Sequence, residues 1–219
     1  MSQPALKRLC MRDQIRDKLV ARILDGTYPA GTQLKELYLA REFDVSQAPI
    51  REALRELEGS GLVSSERFRG TRVRGADFRE MRESYELRMM LEMRSVALAA
   101  PYPQTLLEDL SGLLRLMEAA VKVDDSENYI DHALRFHRRL VQSSGNRTFL
   151  NVWDSLLWDI RGRIALRRLM EMGRSLRSLL NMHKALLTRL RAQDAAGATE
   201  QVREILVRVA SAFDNEPAR

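Results

Sequence analysis

From Val45 to Val63 the chain reads VSQAPIREALRELEGSGLV. Ser46 stands at the N-cap position, just before residues that recur with helical period. Pro49 falls in the first turn, where a missing N–H costs no hydrogen bond. Ile50, Ala53, Leu54 and Leu57 are spaced i, i+3, i+4 and i+7, which places them on one buried stripe. Gln47, Arg51 and Arg55 fall on the other side, and Gly59 and Gly61 end the segment. The spacing predicts a short helix from Gln47 with an apolar back and a polar front.

The flanking residues give this helix a setting. Upstream, Ile15, Leu19 and Ile23 predict a helix over Met11 to Asp25, stopped by Gly26. TYPAGTQL reads as a turn with Pro29 and Gly31 as punctuation, and Leu39 and Ala40 mark a second helix over Lys35 to Phe43. Downstream, LVSSERFRGTRVRG changes to period two around an Arg69-Gly70 turn. That is a small hairpin with arginines at its tip and on its return strand. An amphipathic helix with two exposed arginines is by itself ordinarily a solvated face. The order helix, helix, capped helix, arginine hairpin is more specific, and describes a winged helix-turn-helix: three helices plus a β-hairpin wing. In such a unit the helix from Gln47 reads the major groove. Ser46 and the helix N-terminus suit a phosphate oxygen. Gln47 suits a base edge, most naturally adenine, and Arg51 and Arg55 suit a guanine edge or a phosphate. Arg67, Arg69 and Gly70 of the wing would enter the adjacent minor groove.

From Asp77 onward the pattern is helical throughout. Helices are expected over Asp77 to Ala100, Gln104 to Val123, Ser126 to Ser143, Arg147 to Glu171, Arg174 to Gln193 and Ala196 to Phe213. Breaks fall at Pro101-Tyr102-Pro103, VDDS, SSGN, Gly173 and near Gly197. The expected organisation is mainly α: a winged unit over residues 1–75 and an all-α helical bundle over residues 76–219.

Composition narrows the function classes. Of 219 residues, 45% are hydrophobic, enough for a sizeable core. A single cysteine, Cys10, excludes a disulfide framework within one chain and a Cys-rich zinc module. No charge-flanked apolar segment of signal-peptide length opens the chain and no long uncharged apolar run occurs, so a soluble cytoplasmic protein without a membrane partner is expected. The net charge of +6 favours anionic partners. Through Ala76 the chain has 14 Lys and Arg against 10 Asp and Glu; the remainder has 22 against 20, so the first third carries most of the excess. Only three histidines occur, none in an HExxH-like pair, and there is no nucleophile elbow, phosphate loop or paired-carboxylate motif. An enzyme is not expected.

The segments GTYPAGTQLKELYLAREFDVSQAPIREALRELEGSGLV and RGTRV resemble the N-terminal domain of the GntR superfamily of bacterial transcription regulators. PAG, L-x-E-x-x-LA, VS-x-x-P-x-REAL and GLV stand in register between about Asp13 and Val73. The resemblance implies DNA contacts at Ser46, Gln47, Ala48 and Arg51 on the helix and at Arg69 and Gly70 in the wing. Gln47 stands where the family's commonest motif has arginine. The remainder, through ELRMMLEMRSVALAA, LRFHRRLVQSSGN and HKALLTRLRAQDA, is similar to the FCD ligand-binding domain of the FadR-like branch. Many members hold a divalent metal with an aspartate, a histidine one turn later and two further histidines. Carried onto this chain, those positions are Ala133, His137, His183 and Ile205. Two of the four are apolar, so a degraded site without a metal cofactor is expected. Asp131 and His132 lie off the face of His137. The resemblance further implies a small organic acid or acyl effector, with Arg88 of R-x-x-LE facing it beside His137 and His183; arginine pairs bidentately with carboxylates. Arg161, Arg163, Arg167 and Arg168 read as a solvated helix face.

The combined expectation is a ligand-responsive, sequence-specific transcription regulator that binds a palindromic DNA operator as a homodimer. The sequence carries no sign for the regulation, since repression and activation differ in where the operator lies. The alternative is an architectural DNA-binding protein with no effector, which would have little use for so large a helical domain.

Overall fold

The computed structural model describes residues 11–24, 26–66, 70–74 and 77–214. The chain divides into two compact units between Asp77 and Phe78. The first unit runs α1 (Met11–Leu24), β1 (Gln33–Leu34), α2 (Glu36–Glu42), α3 (Gln47–Gly59), β2 (Val63–Glu66) and β3 (Gly70–Val73). Ile50, Ala53, Leu54 and Leu57 of α3 are buried, as their spacing requires. α3 packs on α1 and α2, and Ile15, Leu19 and Leu39 share the same core. Burying each such aliphatic side chain stabilises the unit by about 1.5–3 kcal/mol. Gly61 takes a φ of 78° and turns the chain from α3 into β2.

Two local features differ from the sequence reading. Ser46 occupies the N-cap position of α3, but its side chain makes no cap hydrogen bond. Gln33 and Leu34, read as part of a turn, form a strand instead. The sheet is antiparallel in the order β1-β3-β2, with Gln33 opposite Arg72, Leu34 opposite Thr71, and Val63 opposite Val73. A strand of two residues has no alternation to detect, and its partner lies far along the chain.

The second unit runs α4 (Phe78–Leu98), α5 (Gln104–Lys122), α6 (Ser126–Ser143), α7 (Arg147–Ser155), α8 (Trp158–Glu171), α9 (Leu176–Arg191) and α10 (Ala195–Ala210), followed by a 3₁₀ turn over Ser211–Phe213. α6 packs on α4, α5 and α8, and α4 also packs on α10. Several breaks read from the sequence are helix caps. Asp125 accepts from the Asn128 N–H, Asn146 from Thr148 and Phe149, and Ser175 from Ser178. The break expected near Gly197 falls just before it, where Asp194 caps α10 by accepting from the Gly197 N–H.

The helix expected over Arg147 to Glu171 is two. Leu157 adopts a left-handed φ of 50° between α7 and α8. The bend brings the Trp153 and Trp158 rings to 6.2 Å from one another in the core. The Leu156 carbonyl freed by the break accepts from Arg161 Nε at 3.0 Å. Periodicity carried no sign of this break, because both halves keep their apolar face on the same core.

Candidate functional site

The polar front of α3 is open. Ser46, Gln47, Ala48, Arg51 and Arg55 are all exposed, and the apolar back anchors them. Arg51 is held by α2: its Nε lies 3.1 Å from Glu36 Oε2 and its Nη2 donates to the same oxygen at 2.9 Å. The wing strands hold Gly70 at a φ of 80°, exposed and opposite Glu66. A Cβ at Gly70 would come within 3.3 Å of Gln33 Nε2, so both backbone and neighbour favour glycine there. Arg67 and Arg69 lie outside the described residues. Arg72 of β3 is exposed and donates to the Gly31 carbonyl at 3.1 Å.

In the second unit Arg88, His137 and His183 come together from α4, α6 and α9, and all three are buried. They are joined through Glu92, one turn after Arg88. Glu92 Oε1 accepts from Arg88 Nε at 2.6 Å and from Trp153 Nε1 at 3.1 Å. Its Oε2 lies 2.5 Å from His137 Nδ1. His137 Nε2 faces His183 Nε2 at 3.1 Å, and His183 Nδ1 faces the Leu179 carbonyl at 2.8 Å. The Arg88 guanidinium carbon lies 4.8 Å from the Trp158 ring centre and 5.6 Å from that of Tyr85.

Hydrogen-bond partners assign the protons along this chain of groups. A carbonyl only accepts, so His183 Nδ1 donates to Leu179. Burial, reinforced by the neighbouring His137, pushes the His183 pKa down to about 3, so this ring is neutral and its Nε2 accepts. His137 Nε2 therefore donates. Burial by itself would raise the Glu92 pKa, but Arg88 and His137 outweigh it and hold the carboxyl at about 2. Glu92 is thus an acceptor-only carboxylate, and His137 Nδ1 donates as well. Glu92 thus lies between Arg88 and His137, and His137 in turn between Glu92 and His183.

These residues border a cavity of about 40 Å³, which also touches Tyr85, Tyr129, Ala133 and Ile205. That space corresponds to roughly three water molecules. The four positions that the resemblance assigns to a metal therefore share one cavity, but the residues present do not fit the ion. Ala133 and Ile205 offer no donor atom. His137 spends one nitrogen on Glu92 and its other on His183. Among the described residues, no three His, Cys, Asp or Glu side chains are grouped to hold a metal. Asp131 is exposed and paired with Arg163 Nη2 at 2.5 Å, away from the cavity.

The arginines of α8 are not one solvated face. Arg161 is buried, donating to Glu80 Oε1 at 2.8 Å, and Arg168 lies 4.1 Å over the Phe78 ring. Arg163 pairs with Glu127 and Asp131, and Arg167 with Glu171. None borders the cavity. Sequence reasoning overlooked Glu92, Tyr129 and Trp153. Glu92 stood inside the quoted R-x-x-LE, four residues after Arg88 and on the same helix face. Tyr129 precedes His137 by eight residues, again one face. Trp153 carried no local signal.

Comparison with known proteins agrees with this architecture. The family model for bacterial regulatory proteins of the gntR family matches residues 11–73, and that of the FCD domain matches residues 83–208. The chain is 30% identical over 193 residues to the gluconate operon transcriptional repressor of Bacillus licheniformis, covering 86% of this chain and 79% of that protein. It is 32% identical over 151 residues to the probable D-xylose utilization operon transcriptional repressor of Paenarthrobacter nicotinovorans, covering 69% and 67%. Among solved structures, E. coli McbR/YncC shares the fold with a TM-score of 0.72 at 24% identity, over 94% of this chain and 97% of that one. With both matched domains present in order, the chain belongs to the GntR family as a DNA-binding transcription regulator carrying an FCD domain.

Proposed function

We propose that the chain is a repressor that binds a palindromic operator as a homodimer in the cytoplasm and responds to a small organic effector without a metal. Among the described residues no helix is long and apolar enough to cross a membrane. The observation that carries the DNA reading is the face of α3, where Ser46, Gln47, Ala48 and Arg55 stand exposed with Arg51 among them. Ser46 has a hydroxyl and a helix N-terminus to offer a phosphate, and Gln47 an amide to offer an adenine edge. Arg67, Arg69 and Gly70 supply the wing contact. Two relatives named as operon repressors support the sign of regulation. The effector site is the cavity beside Arg88, His137 and His183. An architectural binder has no use for such a cavity.

The test is selection of binding sites from random duplex DNA, followed by titration and sedimentation of the complex. Two copies of the chain on an inverted repeat are expected, with Gln47→Ala weakening binding at one base position of each half-site by about 1–3 kcal/mol. A single copy on an asymmetric site would overturn the dimer. Equal binding of all duplexes would overturn sequence reading.

A further inference from the structure

We infer that two copies of the chain meet antiparallel along α4, with Met90 at the crossing and Glu86 of each copy against Arg94 of the other. This rests on the homodimer reading above and gives it a surface and a register.

Two observations carry it. First, Met90 is 64% exposed, and among the described residues no large hydrophobic side chain inside a helix is more so. It does not stand alone. Leu87, Met90, Met93 and Ala97 are spaced by three and four residues, so they share one side of α4. Ala97 is exposed, and Leu87 and Met93 are half-buried. α6, α7 and α10 pack on other sides of the helix. Single exposed apolar residues are ordinary, whereas a continuous apolar stripe marks a contact. Second, the charges on this side are spare and symmetric. Glu83 is taken by Arg79 at 2.9 Å. Glu86 and Arg94 are both exposed, and neither is ion-paired among the described residues. They stand four residues before and four residues after Met90. A twofold axis through Met90, perpendicular to the helix, therefore sets Glu86 of each copy against Arg94 of the other, twice over. The same axis sets Leu87 against Met93. Parallel pairing would instead bring Glu86 to Glu86 and Arg94 to Arg94, and repulsion rejects it. Exposed ion pairs add little affinity, so the charges fix orientation and register while the apolar centre supplies the attraction. Methionine suits a residue that must pack against its own copy, because its unbranched chain adapts to the gap it meets.

The experiment is sedimentation equilibrium of the full chain without DNA, on wild type and variants. Wild type is expected to sediment as a dimer. Met90→Asp sets two like charges on the axis and is expected to weaken the dimer about a hundredfold or more. Glu86→Arg and Arg94→Glu each bring like charges together at two symmetry-related places, and each is expected to weaken it about tenfold. The double variant, Glu86→Arg with Arg94→Glu, exchanges the charges and is expected to regain wild-type association. A single variant that merely misfolded would not be rescued in this way. In a Cys10→Ala background, Met90→Cys is expected to cross-link to its own copy on oxidation with diamide, because a residue on the axis meets itself. A wild type that is monomeric both alone and on its operator overturns the homodimer reading and this inference with it. A chain that is dimeric only on DNA overturns the surface and leaves the operator reading standing. So does a free dimer that survives Met90→Asp and leaves Met90→Cys without a cross-link. A dimer that Met90→Asp dissociates, but whose charge exchange restores nothing, overturns the register.

Discussion

One arginine–glutamate pair in each unit stands in the opposite setting to the other. On α3, Arg51 meets Glu36 at 2.9 Å with side chains 52% and 35% exposed. On α4, Arg88 meets Glu92 at 2.6 Å with side chains 4% and 0% exposed. Water screens the first pair, so making or breaking it changes stability little, and Arg51 can exchange a carboxylate for a phosphate or a base edge at small cost. The second pair has no such freedom. Its charges were removed from water on folding, and losing one partner strands the other in an apolar medium. The first pair suits a contact that must be released, the second a wall that must not move.

Substitution at Glu92 puts the greatest strain on this contrast. Glu92→Ala leaves Arg88 and His137 both buried without an anion, and is expected to destabilise the helical unit by about 3–5 kcal/mol. Denaturant melts of wild type and variant measure it; a loss below 1 kcal/mol would mean that the buried pair behaves like the exposed one.

Acid should separate the two pairs next. The fold depresses the His183 pKa from 6.5 to about 3, so it favours the neutral ring. That stability is fully present above pH 6.5 and is lost as pH falls towards 3, by roughly 2–3 kcal/mol at pH 4.5. Glu92, depressed from 4.5 to about 2, favours its ionised form; its contribution is present above pH 4.5 and lost as pH falls through 2. Melting temperature against pH should decline from 6.5 downward, and His183→Gln should flatten the limb between 6.5 and 4.5. A flat wild-type profile would contradict the buried assignment.

At the exposed pair the effects are smaller and fall on binding. Arg51→Ala is expected to weaken a selected operator by about 1–3 kcal/mol while leaving stability within about 0.5 kcal/mol. Glu36→Gln is the gentlest change. Stability should hold, while affinity for random duplex rises and its salt dependence steepens by about one unit of log–log slope, as Arg51 becomes free for one more phosphate. An unchanged slope would show that Glu36 never competes with DNA.

The sequence was most legible where structure is local. The four buried residues of α3 follow from a spacing of three and four, and the caps at Asp125, Asn146 and Ser175 mark breaks that turn residues had announced. It was least legible where partners lie far apart. β1 exists only because β3 pairs with it. Glu92 acquires its role only when α6 brings His137 and α7 brings Trp153. The bend at Leu157 answers a demand of the core, and no turn residue advertises it. Ser46 shows the converse: its position in the sequence is that of a cap, yet its hydroxyl stays unspent.

The short strand β1 has one more consequence. Gln33 and Leu34 reach β3 across almost forty residues, and Leu34 is buried against a core that also needs Leu62, Val63 and Val73. The middle of the winged unit is thereby tied to the strand that closes it. A piece cut after Ser60 would keep three helices yet leave Leu34 without β3 to cover it, so the hairpin completes the core of the DNA-binding unit.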